Sequence, residues 1–202
     1  MVTDTYTLKY DPEKYFKKYG MKKKRQEHSF SVAHEMVKFA QYYNVDEEKA
    51  YVAGIFHDIA RDISIEEILI FSKAVGHIPD RYEEAQPVNL HSFASCYILE
   101  NEDITHDTDI LTAVSQHTYG YTGMGVLSSL LYILDFAEPT RHFKEAETAY
   151  HLLKKNIDDA LIYVITQTWG FIAEEKRLIH PISLELYNSL VLKYKRNRSR
   201  IE

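Results

Sequence analysis

Cysteine is nearly absent: Cys96 is the only one among 202 residues. A single thiol cannot form an internal disulfide, and it rules out a thiolate zinc site. A reducing, cytoplasmic setting is the natural reading. Glycine and proline are scarce, at 7 and 5 residues, which excludes a fibrous or linker-rich chain. Long apolar runs are missing too. The longest, Val126 to Ala137, falls short of the ~18 residues needed to cross a bilayer and contains Asp135. No membrane association is therefore expected, and Met1 to Tyr10 lacks the apolar core of a secretory signal. Excess positive charge is also missing. A net charge of -6 leaves no basis for a broad grip on nucleic acid. It still permits a small anionic ligand held by a few local cations or metal ions.

What is present is ordinary in bulk and unusual in detail. Hydrophobic residues make up 45% and charged residues 27%, the globular range, but there are 10 His and 16 Tyr. The apolar periodicity is helical nearly throughout, with no sustained period of two, so the expected fold is all-α without a sheet. Helices are predicted over 12–19, 23–43, 46–60, 64–75, 89–101, 107–118, 125–138, 143–155, 157–177 and 182–195, with a helical turn near 80–85. Ser64 with Glu67 three residues on forms a capping-box signature. The expected division is an N-terminal helical extension over 1–20, one domain over 21–196, and a basic tail over 197–202.

Two of these helices have no continuous polar face. Ala50, Ala53 and Gly54 line one side of the first, and Val52, Ile55, Phe56 and Ile59 the other; Val126 to Ala137 is equally apolar. Helices apolar all round are core helices. Yet the first carries His57–Asp58 and the second Asp135. A carboxylate in such a place is costly unless it is paired or binds metal. The second His–Asp pair, His106–Asp107, sits in a polar loop where Asp107 reads as a helix cap. His28, His91 and His117 each stand on or beside a core-facing stripe. One such histidine alone is more often a hydrogen-bonded core residue than a ligand. With His57 they make four, and four with two carboxylates point to a metal centre. His34, His77, His142 and His151 fall in polar or loop settings and read as surface residues. Trp169 reads as core packing.

The ordered set His28, His57–Asp58 and Asp135 resembles the metal-dependent phosphohydrolases of the HD-domain type. Further motifs narrow the resemblance to one branch, the YqeK-type symmetrical diadenosine tetraphosphate hydrolases. They are Arg25-x-x-His28-Ser29, Ala53-Gly-x-x-His57-Asp58-x-Ala60, Leu90-His91, His117-Thr118-x-Gly120, Asp135-x-x-Glu138-Pro139-x-Arg141 and Ile179-His180-Pro181. The match spans about residues 22–190, so residues 21–196 are expected to form an HD-domain-like helical bundle. Departures are Arg61 where this branch usually has Lys, Tyr119 for a usual Thr, and Ser92 for a usual Gly.

The resemblance implies that His28, His57, Asp58 and Asp135 hold a divalent ion. It leaves open whether His91 and His117 complete a second metal site, with Asp58 bridging, or contact phosphate. A donor set of imidazoles and carboxylates suits iron, manganese or magnesium, and family precedent favours iron. Arg61 and Arg141, and to a lesser degree Arg25, are assigned to the polyphosphate by resemblance; each alone reads as a surface ion-pair former. Ile179, His180, Pro181 and Ile182 would line a nucleotide pocket. Gly120, Gly123 and Gly125 make the loop between the His117 and Asp135 helices either a cover for the substrate or a plain connector. The implied reaction is hydrolysis of diadenosine tetraphosphate to two ADP, through attack of a metal-held hydroxide on an inner phosphorus, with Asp58, Arg61 and Arg141 as catalytic residues. Alternatives are another HD-type phosphohydrolase acting on nucleoside mono- or triphosphates, a nucleotide- or metal-sensing module without turnover, and a purely structural domain. The partner is then a dinucleoside polyphosphate or another nucleotide. The oligomeric state stays open, with a homodimer among the options.

Overall fold

The computed structural model describes residues 2–198; residues 199–202 of the basic tail lie outside the described residues. Twelve α-helices and no strand occur among the described residues: α1 (Val2–Tyr10), α2 (Pro12–Lys18), α3 (Lys23–Tyr43), α4 (Glu47–Phe56), α5 (Ile65–Ala74), α6 (Arg81–Ala85), α7 (His91–Asn101), α8 (Thr108–Gln116), α9 (Val126–Ala137), α10 (Lys144–Leu153), α11 (Ile157–Glu174) and α12 (Pro181–Arg198). A 3-10 turn, Pro87–Leu90, leads into α7. The starts follow local chemistry: Asp46, Ser64, Asp80, Asp107 and Asn156 each cap the helix that follows through a side-chain oxygen.

Helix α9 is the hub, with α3, α4, α8, α10 and α11 packed around it. Its residues 127–134 are all buried, as its uniform apolarity requires. Helices α3 and α4 pack most extensively, and Gly54 shows why. A Cβ at that position would lie 2.7 Å from the Ala33 Cα, so the two backbones touch where side chains are smallest.

Two differences from the sequence reading have physical causes. Helix α1 lies in a segment with no amphipathic period; it is held instead by distant partners. The Tyr6 and Tyr10 rings pack on Tyr51, and Thr7 Oγ1 lies 2.8 Å from the Tyr51 hydroxyl. Helix α4 stops at Phe56, four residues before the predicted end, so His57–Asp58 begins the turn that follows it. There Ile59 N and Arg61 N donate to the carbonyls of Phe56 and Asp58, and Ala60 N donates to Ser95 Oγ. The tighter turn swings Asp58 off the helix face and into the bundle.

Candidate metal centre

Three histidines are placed by the same local device. His57 ends α4, His117 ends α8, and His91 ends the 3-10 turn. Helix ends leave carbonyls without backbone partners. Each ring takes one: Nδ1 donates to the carbonyl three residues back, to Gly54 at 2.8 Å, Val88 at 2.8 Å and Val114 at 2.6 Å. That bond fixes the tautomer and aims every Nε2 inward with its lone pair available, the arrangement that metal-binding histidines adopt.

Helix α3 supplies His28 from the opposite wall. Its Nδ1 donates to Glu138 Oε1 at 3.0 Å and its Nε2 to Asp135 Oδ1 at 2.8 Å. Both ring nitrogens are thus donors, and the ring is an imidazolium. Burial opposes that charge, but the bonds to Asp135 and Glu138 raise its pKa to about 9. Glu138 is fully buried yet charged. Burial alone would raise its pKa; the donors His28, Ser31 and Thr140 hold it at about 2.

Asp58 occupies the centre. Its Oδ1 lies 2.9 Å from His91 Nε2 and 3.7 Å from His117 Nε2; its Oδ2 lies 3.9 Å from His57 Nε2 and accepts from Arg25 Nη1 at 2.6 Å. Burial pushes its carboxyl up, but the facing His57, His117 and His91 rings hold it well below the carboxylate range. Asp135 is held low against burial in the same way by His28 and His57. Its side chain is 29% exposed, so it opens onto a cavity rather than being sealed in the core. Each carboxylate has its own cation: His28 serves Asp135, and Arg25 serves Asp58.

Two details fit a cation. His57 Nε2 is buried without any hydrogen-bond partner, 3.5 Å from Asp135 Oδ1. The Nε2 atoms of His91 and His117 face each other at 3.1 Å, although both rings already donate through Nδ1. Two lone pairs at that distance repel unless a proton or an ion lies between them. Burial presses His91 down to about 4, whereas Asp58 raises His117 against burial. Three sets have ligand atoms mutually within 4.8 Å: His28, His57 and Asp58; His57, His117 and Asp135; and Asp58, His91 and His117. These are sets that could hold metal ions.

Asp58, His91, His117 and Asp135 line a cavity of about 370 Å³. Arg61 and Arg141 border it. Arg61 Nη1 donates to the Val88 carbonyl at 3.2 Å, and burial lowers its pKa from the usual value. Arg141 Nη2 reaches the Asp135 carbonyl at 3.3 Å. Arg25 is engaged on both sides, by Asp58 and by Asp62 at 2.9 Å. Aromatic residues, including Tyr132, Phe136 and Trp169, form the rest of its wall together with aliphatic and polar side chains. Trp169 is therefore a cavity residue that sequence reasoning placed in the core. Ile179 and His180 line the same wall, with His180 Nε2 donating to Asp80 at 2.9 Å. Pro181 and Ile182 do not line it; they open α12.

His106 is exposed and bonded to Asp103, and Asp107 caps α8, so this pair stands apart from the cluster. His34, His142 and His151 are exposed as expected, but His77 stacks on Phe93 at 3.6 Å and bonds buried Glu83. Gly120 is a packed turn. Its φ is +68°, and a Cβ there would meet Leu186 Cδ2 at 2.5 Å.

The family model for the HD domain matches residues 25–163. A Bacillus subtilis protein named bis(5'-nucleosyl)-tetraphosphatase, symmetrical, is 30% identical over 81% of this chain and 88% of its own length. A Halalkalibacterium halodurans protein of the same name is 30% identical over 85% and 91%. The crystal structure of an HD superfamily hydrolase involved in NAD metabolism from Clostridium acetobutylicum superposes with a TM-score of 0.86 at 27% identity, covering 91% of this chain and 96% of that one. Fold, sequence and the His57–Asp58 centre agree: the chain belongs to the HD-domain family, in the branch that holds the symmetrical bis(5'-nucleosyl)-tetraphosphatases.

Proposed function

We propose that the chain hydrolyses diadenosine tetraphosphate symmetrically to two ADP, using two divalent ions held at the histidine–aspartate cluster. The observation that carries this reading is the division of Asp58, with Oδ1 toward His91 and His117 and Oδ2 toward His57. One carboxylate can then serve two neighbouring ions. His28, His57, Asp58 and Asp135 would hold the first, and His91, His117 and Asp58 the second. Nitrogen and oxygen donors without thiolate suit iron, manganese or magnesium, with iron favoured by the family. Bound there, the ions supply an activated water and take up charge on the phosphoryl oxygens.

The chain's own residues do the rest. Arg61 and Arg141 present cations to the polyphosphate, and the aromatic wall buries the adenine of one half. The bond formed joins a water oxygen to one inner phosphorus. The bond broken is the central P–O–P bridge, whose electron pair leaves on the other ADP. A phosphate leaving group is stable as an anion, so the site needs cations more than a general acid. Chromatography of the products tests the reading: ADP alone is expected, and a mixture of ATP and AMP overturns it.

A further inference from the structure

The cavity does not end at the cluster. Arg25, Arg141 and Phe143 also line a second hollow, whose other walls are Lys22, Lys24, Glu27, His28, Thr140 and His142. Lys22, Lys24, Arg25 and Arg141, with the His28 imidazolium as a fifth positive group, and one carboxylate thus face this hollow in a chain of net charge -6, although Lys22 lies 3.5 Å from Asp62 and Arg25 pairs with Asp58 and Asp62. Phe143 is its one phenyl or indole ring, whereas the first cavity has several. Lys22, Lys23 and Lys24 open α3 with no acidic residue in its first turn. The helix dipole disfavours cations there; Asp62 offsets Lys22, whose N–H and Nζ it meets at 3.0 and 3.5 Å, but helix stability does not account for Lys24.

We propose that this hollow is a second nucleotide subsite, which holds the far half of a dinucleoside tetraphosphate by its phosphates and leaves its base unread. The inference rests on the diadenosine tetraphosphate reading above. A symmetrical molecule then occupies an unsymmetrical cleft. One adenosine sits against the aromatic wall, the central bridge lies at the cluster, and the far diphosphate runs along Lys22, Lys24, Arg25 and Arg141. Coulombic recognition does not distinguish bases. The mixed adenosine–uridine tetraphosphate is therefore a substrate: one water adds, the central bridge breaks, and ADP, UDP and one proton result. Adenosine tetraphosphate, which has no far nucleoside, gives ADP, pyrophosphate and one proton by the same cut.

The experiment is steady-state kinetics of the metal-loaded wild type and Lys24→Glu on these three substrates at low ionic strength. For wild type, kcat/KM for the mixed tetraphosphate is expected within about threefold of that for diadenosine tetraphosphate, and adenosine tetraphosphate yields pyrophosphate. In Lys24→Glu the loss falls on KM, roughly threefold to tenfold, as an exposed charge reversal permits. Its melting temperature holds or rises, because an acid in the first helical turn suits the dipole. An unchanged KM in Lys24→Glu overturns the inference. So does a loss of kcat/KM beyond about tenfold when uridine replaces the far adenosine, since the far base is then being read. If wild type leaves diadenosine tetraphosphate intact, the hydrolase reading itself fails and carries the subsite with it.

Discussion

Glu138→Gln is a sharp test of how the centre is built. Besides Ser31, the carboxylate takes donors in two directions: His28 Nδ1 at 3.0 Å and Thr140 Oγ1 at 2.5 Å on Oε1, and the Thr140 N–H at 2.7 Å on Oε2. An amide has one oxygen to offer. The backbone N–H of Thr140 cannot become an acceptor, so the amide oxygen must turn toward it. The amide NH₂ then faces His28 Nδ1, donor against donor. The ring escapes by giving up its Nδ1 proton and keeping the one on Nε2, the tautomer that leaves no inward lone pair for a metal ion. A lost outer partner of a metal-binding histidine ordinarily costs about 10–100-fold in metal affinity. Because the tautomer itself is inverted, the upper end is expected, about 2.7 kcal/mol. Glu138→Asp keeps the acceptor charge and should lose less. Chelator-competition titration of both variants against wild type, with melting curves of the metal-free proteins, reads the effect. Unchanged metal affinity in Glu138→Gln alongside a lowered melting temperature would refute the reasoning, and Glu138 would then be only a cap for the Thr140 turn.

His57→Ala and Asp58→Ala should abolish turnover, whereas His106→Ala and Asp107→Ala should leave it intact; Asp107→Ala loses a helix cap worth about 0.5–2 kcal/mol, visible on melting. Arg141→Ala should lower kcat/KM roughly 10²–10³-fold, the worth of one donor aimed at developing charge, with metal content by elemental analysis unchanged. Gly54→Ala should destabilise by about 1–3 kcal/mol, since its Cβ would stand 2.7 Å from the Ala33 backbone; a melting curve matching wild type would show that α3 and α4 can part without strain. His28 in the metal-free protein has its pKa raised to about 9, so the sign is fixed. Its contribution to folding is fully present below about pH 6.5 and is lost as pH rises through about 9. Metal binding must displace the Nε2 proton, so metal affinity should increase with pH up to about 9, and proton release in weak buffer measures it.

The sequence made the centre legible where polarity broke an apolar pattern. His57, Asp58 and Asp135 stand out because their helices have no polar face, and His28, His91 and His117 because they lie on or beside core stripes. The end of α4 was not legible, since hydrophobic period cannot register a ring that bonds its own helix's last carbonyls. Glu138 falls in the motif Asp135-x-x-Glu138-Pro139-x-Arg141, and the motif alone points to no role for it. A signal did exist: a carboxylate just past the C-terminus of α9 sits at the negative end of the helix dipole, where only a strong partner justifies it. Asp62, which holds Arg25 in place, follows Asp58 by four residues in a turn that reads as ordinary loop. Helix α1 escaped because its support is tertiary, from Tyr51 and Glu48.

The way the rings are anchored sets an order of assembly. His57, His91 and His117 take their bearings from atoms three residues upstream, so each is oriented once its own last turn closes, an event of microseconds at most. His28 waits for partners 107 and 110 residues downstream, on and just after α9. During synthesis, Asp58, His91 and His117 are all available once residue 117 has emerged, whereas the half-site around His28 stays open until residue 138 follows. Because α3, α4 and α8 all pack on α9, its arrival is the step that closes the centre.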